Sequence, residues 1–135
     1  MANGRFNIVL GLVVLIGATL VGLALGQTLE PYYRSGYGQI PLWRYLTKAG
    51  HTHGMLMGLM NIIFGLLIER SAGSEKLKRV GSILAALAVC LPVGVSLRGI
   101  TEGAKFAEAI AITGALSFIS ACVVMIIAST SRGKG

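Results

Sequence analysis

The sequence predicts an all-α fold: an integral membrane four-helix bundle, with residues 1–135 forming a single four-span transmembrane domain and both termini cytoplasmic. Three observations predict it. Of 135 residues, 54% are hydrophobic and 13% charged, with a mean hydropathy of +0.76, where an ordinary soluble domain is about a quarter charged. The apolar residues gather in four runs of about the 20 residues that a helix needs to cross a bilayer. The twelve Lys and Arg fall almost entirely between those runs and at the chain ends. This composition excludes a soluble globular protein, a disordered chain and a disulfide scaffold, and leaves no room for a soluble catalytic domain beside a membrane anchor.

The first span is expected at about residues 6–26, a run without a charge. Arg5 and the Ala24-Leu25-Gly26 sequence suggest a signal peptide. The run is longer than the roughly 7–15 residues of a signal core, however, so a retained helix is expected. The second span covers about 49–68, the third 80–97 with Pro92 inside it, and the fourth 106–128 with Glu108 near its start. Lipid offers the backbone no partners, so such runs must be helices, and the alternation of barrel strands is absent. Cys90 and Cys122 fall inside apolar runs and read as small buried hydrophobes.

The connection 27–48 holds all four Tyr and the only Trp, an interfacial aromatic belt or a lid over a site on that side. Arg5, Arg70, Lys76, Lys78, Arg79, Arg132 and Lys134 lie on one side of the membrane, seven of the twelve basic residues. Arg34, Arg44, Lys48, Arg98 and Lys105 lie on the other, offset by three of the five Glu. The positive-inside rule then places the termini in the cytoplasm. This arrangement accounts for the basic charge better than nucleic acid does, and none is expected as a partner.

Chemistry concentrates in His51-Thr52-His53-Gly54-Met55-Leu56-Met57-Gly58, which holds the only two histidines. Ionisable groups within spans are costly and usually functional, and neutral imidazole is a common metal ligand. At ~100° per residue the two rings point ~200° apart, so they cannot share one ion on a regular helix. With no carboxylate in the same turns, zinc, di-iron and copper sites are disfavoured. Haem needs only one or two axial ligands and an apolar slot.

The face of His51 continues as Met55, Gly58, Ile62 and Gly65, where glycines would let a macrocycle approach the backbone or helices pack closely. That of His53 continues as Met57, Met60, Phe64 and Ile68, which is bulkier. Haem propionates would pair with Arg98, the preferred partner because a guanidinium matches a carboxylate, or with Arg44 and Lys48. Asn61, the one amide deep in this helix, is expected to bond a neighbouring helix, and Thr113, Ser117 and Ser120 to form interhelical glue. No nucleotide-binding loop, nucleophilic triad or carboxylate dyad is present.

The succession of apolar helix, Pro/Tyr/Gly-rich segment ending in Trp43, His-headed helix, basic turn and two further helices resembles the styrene oxide isomerase family of small membrane proteins. The family has a His-x-x-x-x-Leu-Asn-Gly pattern that His51, Leu56 and Gly58 match, and a Gly-Ser-Ile that Gly81-Ser82-Ile83 matches. The resemblance implies haem b held axially by His51, a trimer, and a ferric iron acting as Lewis acid on an epoxide. Met57 stands where the family has its active-site Asn, and no Tyr follows Tyr45 to supply the Tyr of the third helix. Fold and haem site are therefore implied more strongly than isomerase chemistry. A second likeness, of His53-Gly54-Met55-Leu56-Met57 to the haem-ligating second helix of haem-copper oxidase large subunits, makes His53 the alternative ligand.

The functional expectation is a b-type haem protein with a redox, electron-transfer or sensing role, in a bacterial or archaeal cytoplasmic membrane. Its partners are lipid and either further copies of itself or a larger membrane complex. The alternatives are a ferric-haem Lewis-acid enzyme and a haem-free structural subunit.

Overall fold

The structure, a computed structural model, describes residues 3–29, 31 and 40–130. Most of the aromatic connection, including Tyr32, Tyr33, Arg34 and Tyr37, and the basic tail with Arg132 and Lys134 lie outside the described residues. Five helices are described: α1 (Asn3–Gln27), α2 (Leu42–Arg70), α3 (Glu75–Leu87), α4 (Cys90–Ile100) and α5 (Lys105–Thr130). With α3 and α4 taken as one broken span, Glu75–Ile100, four helices among the described residues are long and apolar enough to cross a membrane.

The helices extend past the apolar runs that announce them. α2 begins at Leu42, directly after Pro41, rather than near residue 49. Proline lacks an N–H and fixes φ, which suits a helix start. Leu42, Trp43, Arg44 and Tyr45 are thus the first turn of the helix and not part of the connection. His51 consequently lies about 14 Å along the helix axis from its start, at 1.5 Å per residue.

The break between α3 and α4 falls at Ala88 and Val89. Pro92 cannot donate to residue 88, and its ring crowds that carbonyl. The chain there takes tighter bonds, from Val89 N–H to Ala86 O and from Leu91 N–H to Ala88 O. Ser74 caps α3 by accepting from Leu77 N–H at 3.4 Å, with Glu75 in the first turn where the helix dipole favours an acid.

Neighbouring helices run antiparallel. Gly4 faces Gly65 and Gly11 faces Gly58, while Gly73 lies on Ala128. The described chain ends therefore share one end of the bundle with the 71–74 connection. The opposite end, with Thr28, Pro41 and the turn at 101–104, is the loop end.

Seven-residue spacing sets the α1–α2 contact. Gly4, Gly11 and Ala18 on α1 meet Gly65, Gly58 and His51 on α2, the spacing that keeps one seam between two slightly supercoiled helices. A Cβ on Gly11 would fall 2.5 Å from Gly58 O, and one on Gly58 would fall 2.9 Å from Gly11 O. Small residues also seat α4 on α5, where Gly94 lies on Ala107 and Ala111, and Gly114 on Cys90 and Leu91.

The core sits in the half nearer the chain ends: Phe64, Ile68, Ala85, Ala121 and Met125, with Met60, Leu84, Phe118 and Cys122 against them. Beside it Asn7, Asn61 and Ser82 are buried and bond to one another. The Asn7 amide donates to Asn61 Oδ1 and to Ser82 O, each at 3.0 Å. Ser82 Oγ donates to Asn7 Oδ1. Asn61 Nδ2 donates to Met57 O at 3.1 Å and to Ala85 O at 2.9 Å. The expected bond from Asn61 to a neighbour is thus a network joining three helices. In an apolar surround a polar group left without a partner costs several kcal/mol, on the order of 2–7, so the network pins the register of α1, α2 and α3.

Candidate functional site

His51 leaves α2 toward α1. Its Nδ1 lies 2.7 Å from Ala18 O, and its Cε1 would be 2.5 Å from a Cβ on Gly22. Only glycine at position 22 lets the ring fit under α1. A carbonyl oxygen can only accept, so Nδ1 carries the proton and donates to Ala18 O. In the neutral ring the lone pair is then on Nε2. Fixing one imidazole nitrogen on a backbone carbonyl is the usual way a protein sets the tautomer and direction of a histidine ligand.

His53 points elsewhere. Its Nδ1 donates at 2.7 Å to Ala49 O of its own helix. The face below it, Met57, Phe64 and Ile68, is buried in the bundle core. The two rings serve opposite sides of α2, as helical spacing requires.

Three hollows meet at His51. A wedge of about 440 Å³ opens between the loop ends of α1 and α2, where Gly22, Leu25, Gly26, Arg44, Lys48 and His51 line it. A shallower groove of about 450 Å³ on the flank of α1 is lined by Thr19, Gly22, Gly26, His51 and Met55. A cleft of about 330 Å³ lies between α1 and α4. His51 therefore shares the groove with Met55 and the wedge with Arg44 and Lys48, and His53 lines none of these hollows.

Two sequence expectations are corrected. Gly58, with Gly65, does not form an open slot below His51: Gly11 and Leu15 cover Gly58, and Gly4 and Ile8 cover Gly65. The glycines that line space beside the ring are Gly22 and Gly26 of α1, and a Cβ on Gly26 would meet nothing within 4 Å. Arg98, the preferred propionate partner, is directed to α5 and pairs with Glu108 at 3.5 Å. It lines none of the three hollows, because α4 turns that face away from α1.

Arg44 holds the wedge closed at its rim. The side chain is 6% exposed, and its guanidinium donates to Thr28 Oγ1 at 2.6 Å and to Leu25 O. The last carbonyls of a helix lack intrahelical partners, and a cation there complements the helix dipole. Arg44 thereby clamps the end of α1 to the start of α2. Thr28 passes the interaction on by donating to Ala24 O at 3.1 Å.

Among the described residues no three of His, Cys, Asp and Glu converge. Side chains alone therefore assemble no donor set for a bare metal ion there. A cofactor that brings its own equatorial ligands would need only His51. No family model matches the chain, and no curated protein or solved structure matches it either.

Sequence reasoning missed Asn7 and Thr28. Asn7 has a signal: it and Asn61 are the two amides inside the apolar runs 6–26 and 49–68, and each needs a partner. Gly22 and Gly26 carry the four-residue spacing of a small-residue helix face, though that spacing does not say that a ring packs there; Thr28 has no signal, because its role depends on where α2 crosses α1.

Proposed function

We propose that this chain is an integral membrane protein that binds haem b at His51 and serves a redox, electron-transfer or sensing role. The observation that carries the reading is the Nδ1–Ala18 carbonyl bond, 2.7 Å long, which leaves Nε2 of a half-buried imidazole as the lone-pair donor between three hollows. The residues around it suit the group. Gly22 and Gly26 leave room beside the ring. Leu25 and Leu29 supply apolar walls, and Lys48 supplies a cation at the loop end for a propionate, beside the Arg44 that clamps the rim. When bound, haem b supplies a one-electron couple. The chain itself fixes the tautomer of His51 through Ala18 O and would set a positive charge at the rim where carboxylates of the group would lie.

The resemblance to styrene oxide isomerases agrees with this reading through His51. Of that family's active-site residues, position 57 here is a buried methionine, so no side chain favours epoxide chemistry over electron transfer.

Basic residues at the end holding the 71–74 connection support a reading with both termini cytoplasmic, and the membrane we propose is a bacterial or archaeal cytoplasmic membrane. α1 has only 11% of its apolar window buried within the monomer. Its outer face is left to lipid, to further copies of the chain or to a larger complex.

Protein produced with ample haem supply and purified should show a Soret band that shifts on reduction, with haem extractable by acid acetone. A colourless protein under those conditions overturns the reading. A cysteine placed at Glu102 should react with an impermeant thiol reagent from outside the cell, and one at Ala72 should not. The reverse pattern inverts the orientation.

A further inference from the structure

We propose that the outer face of α3 binds an anionic phospholipid, with its phosphate on Lys76 and Arg79 and an acyl chain along Val80, Ile83 and Leu87. The opposite face of this helix is already taken. Gly81 packs on Val124 and Met125 of α5. The carbonyl of Ser82 accepts from Asn7 of α1, and that of Ala85 from Asn61 of α2. At ~100° per residue, positions 76, 79, 80, 83 and 87 fall within an arc of about 100°, turned away from the buried Gly81, Ser82 and Ala85. Val80 is 39%, Ile83 51% and Leu87 42% exposed, and Lys76 and Arg79 are exposed as well.

Charge and length together define the occupant. The side-chain charges of Lys76 and Arg79 have no partner among the described residues. The nearby acids are engaged elsewhere: Glu75 pairs with Lys78 at 3.1 Å, and Glu69 lies with its Cγ against Gly4 of α1. From Lys76 to Leu87 the helix rises ~16 Å at 1.5 Å per residue, about half of the ~30 Å hydrocarbon thickness of a bilayer. Directly beyond Leu87 the span breaks, at Ala88 and Val89. Two unpaired cations thus stand above an apolar rail one leaflet deep.

A free anion would have no use for the rail, and a zwitterionic lipid brings no net charge to meet the cations. A second copy docked here about a two-fold axis would set Lys76 and Arg79 beside their own counterparts. Each basic residue at a membrane surface favours anionic lipid about five-fold. None of these residues borders the hollows at His51, so lipid binding here is independent of haem.

The test is fluorescence quenching in the full-length chain reconstituted in phosphatidylcholine bilayers containing brominated lipid. Ile83→Trp, at an exposed position, puts a reporter on the rail, and Trp43→Phe removes the native fluorophore. Brominated phosphatidylglycerol should associate about 25-fold more tightly than brominated phosphatidylcholine. Lys76→Gln and Arg79→Gln should each reduce that preference about five-fold, and the two together should abolish it, with the unfolding midpoint unchanged. Lys105→Gln, which removes the same charge at the loop end, should leave the preference intact. Inorganic phosphate should compete no better than chloride at equal ionic strength. Equal quenching by the two lipids, or an equal loss in Lys105→Gln, overturns the proposal. Selective displacement by phosphate would make the pair a free-anion site, and no quenching by either lipid would show the face covered by protein; each overturns it too.

Discussion

Near the chain ends α1 and α2 meet glycine to glycine; at the loop end the same two helices meet glycine to histidine. Gly4 and Gly11 lie against Gly65 and Gly58, and one more seven-residue step along α2 replaces the small residue with His51. The closed half also satisfies its own polar groups, with Asn7, Asn61 and Ser82 bonding one another. In the open half the helices part, Arg44 bridges the gap, and hollows flank an imidazole with one nitrogen committed to Ala18. One seam thus does two things: where the side chain at the seam is absent it locks the fold, and where it is a ring it leaves hollows beside the helices.

The largest stability effect expected is from Gly11→Leu. Overpacking a seam that admits no Cβ should cost about 3 kcal/mol in reversible denaturant unfolding of the reconstituted protein. Gly26→Leu, where a side chain meets open space, should leave the midpoint in place and lower haem occupancy instead. Equal destabilisation by the two would erase the distinction between the halves.

Asn61→Leu should cost roughly 1–2 kcal/mol, within the range for interhelical polar contacts in membranes and for a carbonyl left without its donor. Haem affinity should not change, because the network lies away from His51. A loss of haem in this variant would show that the closed half shapes the site.

The two arginines sharpen the same contrast on the loop side. Arg44→Gln should destabilise by about 1.5–2 kcal/mol, the value of a charged hydrogen bond, and weaken haem binding. Arg98→Gln removes only a half-exposed pair with Glu108, worth about 0–1 kcal/mol, and should leave haem untouched. A haem titration of the two variants checks both, and the opposite order would return the propionates to Arg98.

The number of spans was legible because apolar runs of membrane length admit one structure, and Pro92 announced the break in the third. The start of α2 was not legible: Arg44 and Lys48 look like connection residues until the clamp on Leu25 O and Thr28 is seen. That His51 and His53 face apart follows from helical geometry alone. Which partner covers the His51 face does not. The 51, 58, 65 spacing reads equally as a slot or as a seam, and only the matching 4, 11, 18 spacing on α1 decides for the seam. With that face covered, room beside the ring had to come from Gly22 and Gly26, residues without chemical identity until α1 is placed.

Haem titration of the purified wild type, His51→Ala and His53→Ala, followed by absorption, tests the central claim most directly. His51→Ala should lose the Soret complex or change its spin state. His53→Ala, whose ring bonds only its own helix and borders none of the hollows, should bind haem with wild-type stoichiometry. Haem retained with an unaltered spectrum in His51→Ala and lost in His53→Ala would contradict the account and place the cofactor on the other side of α2.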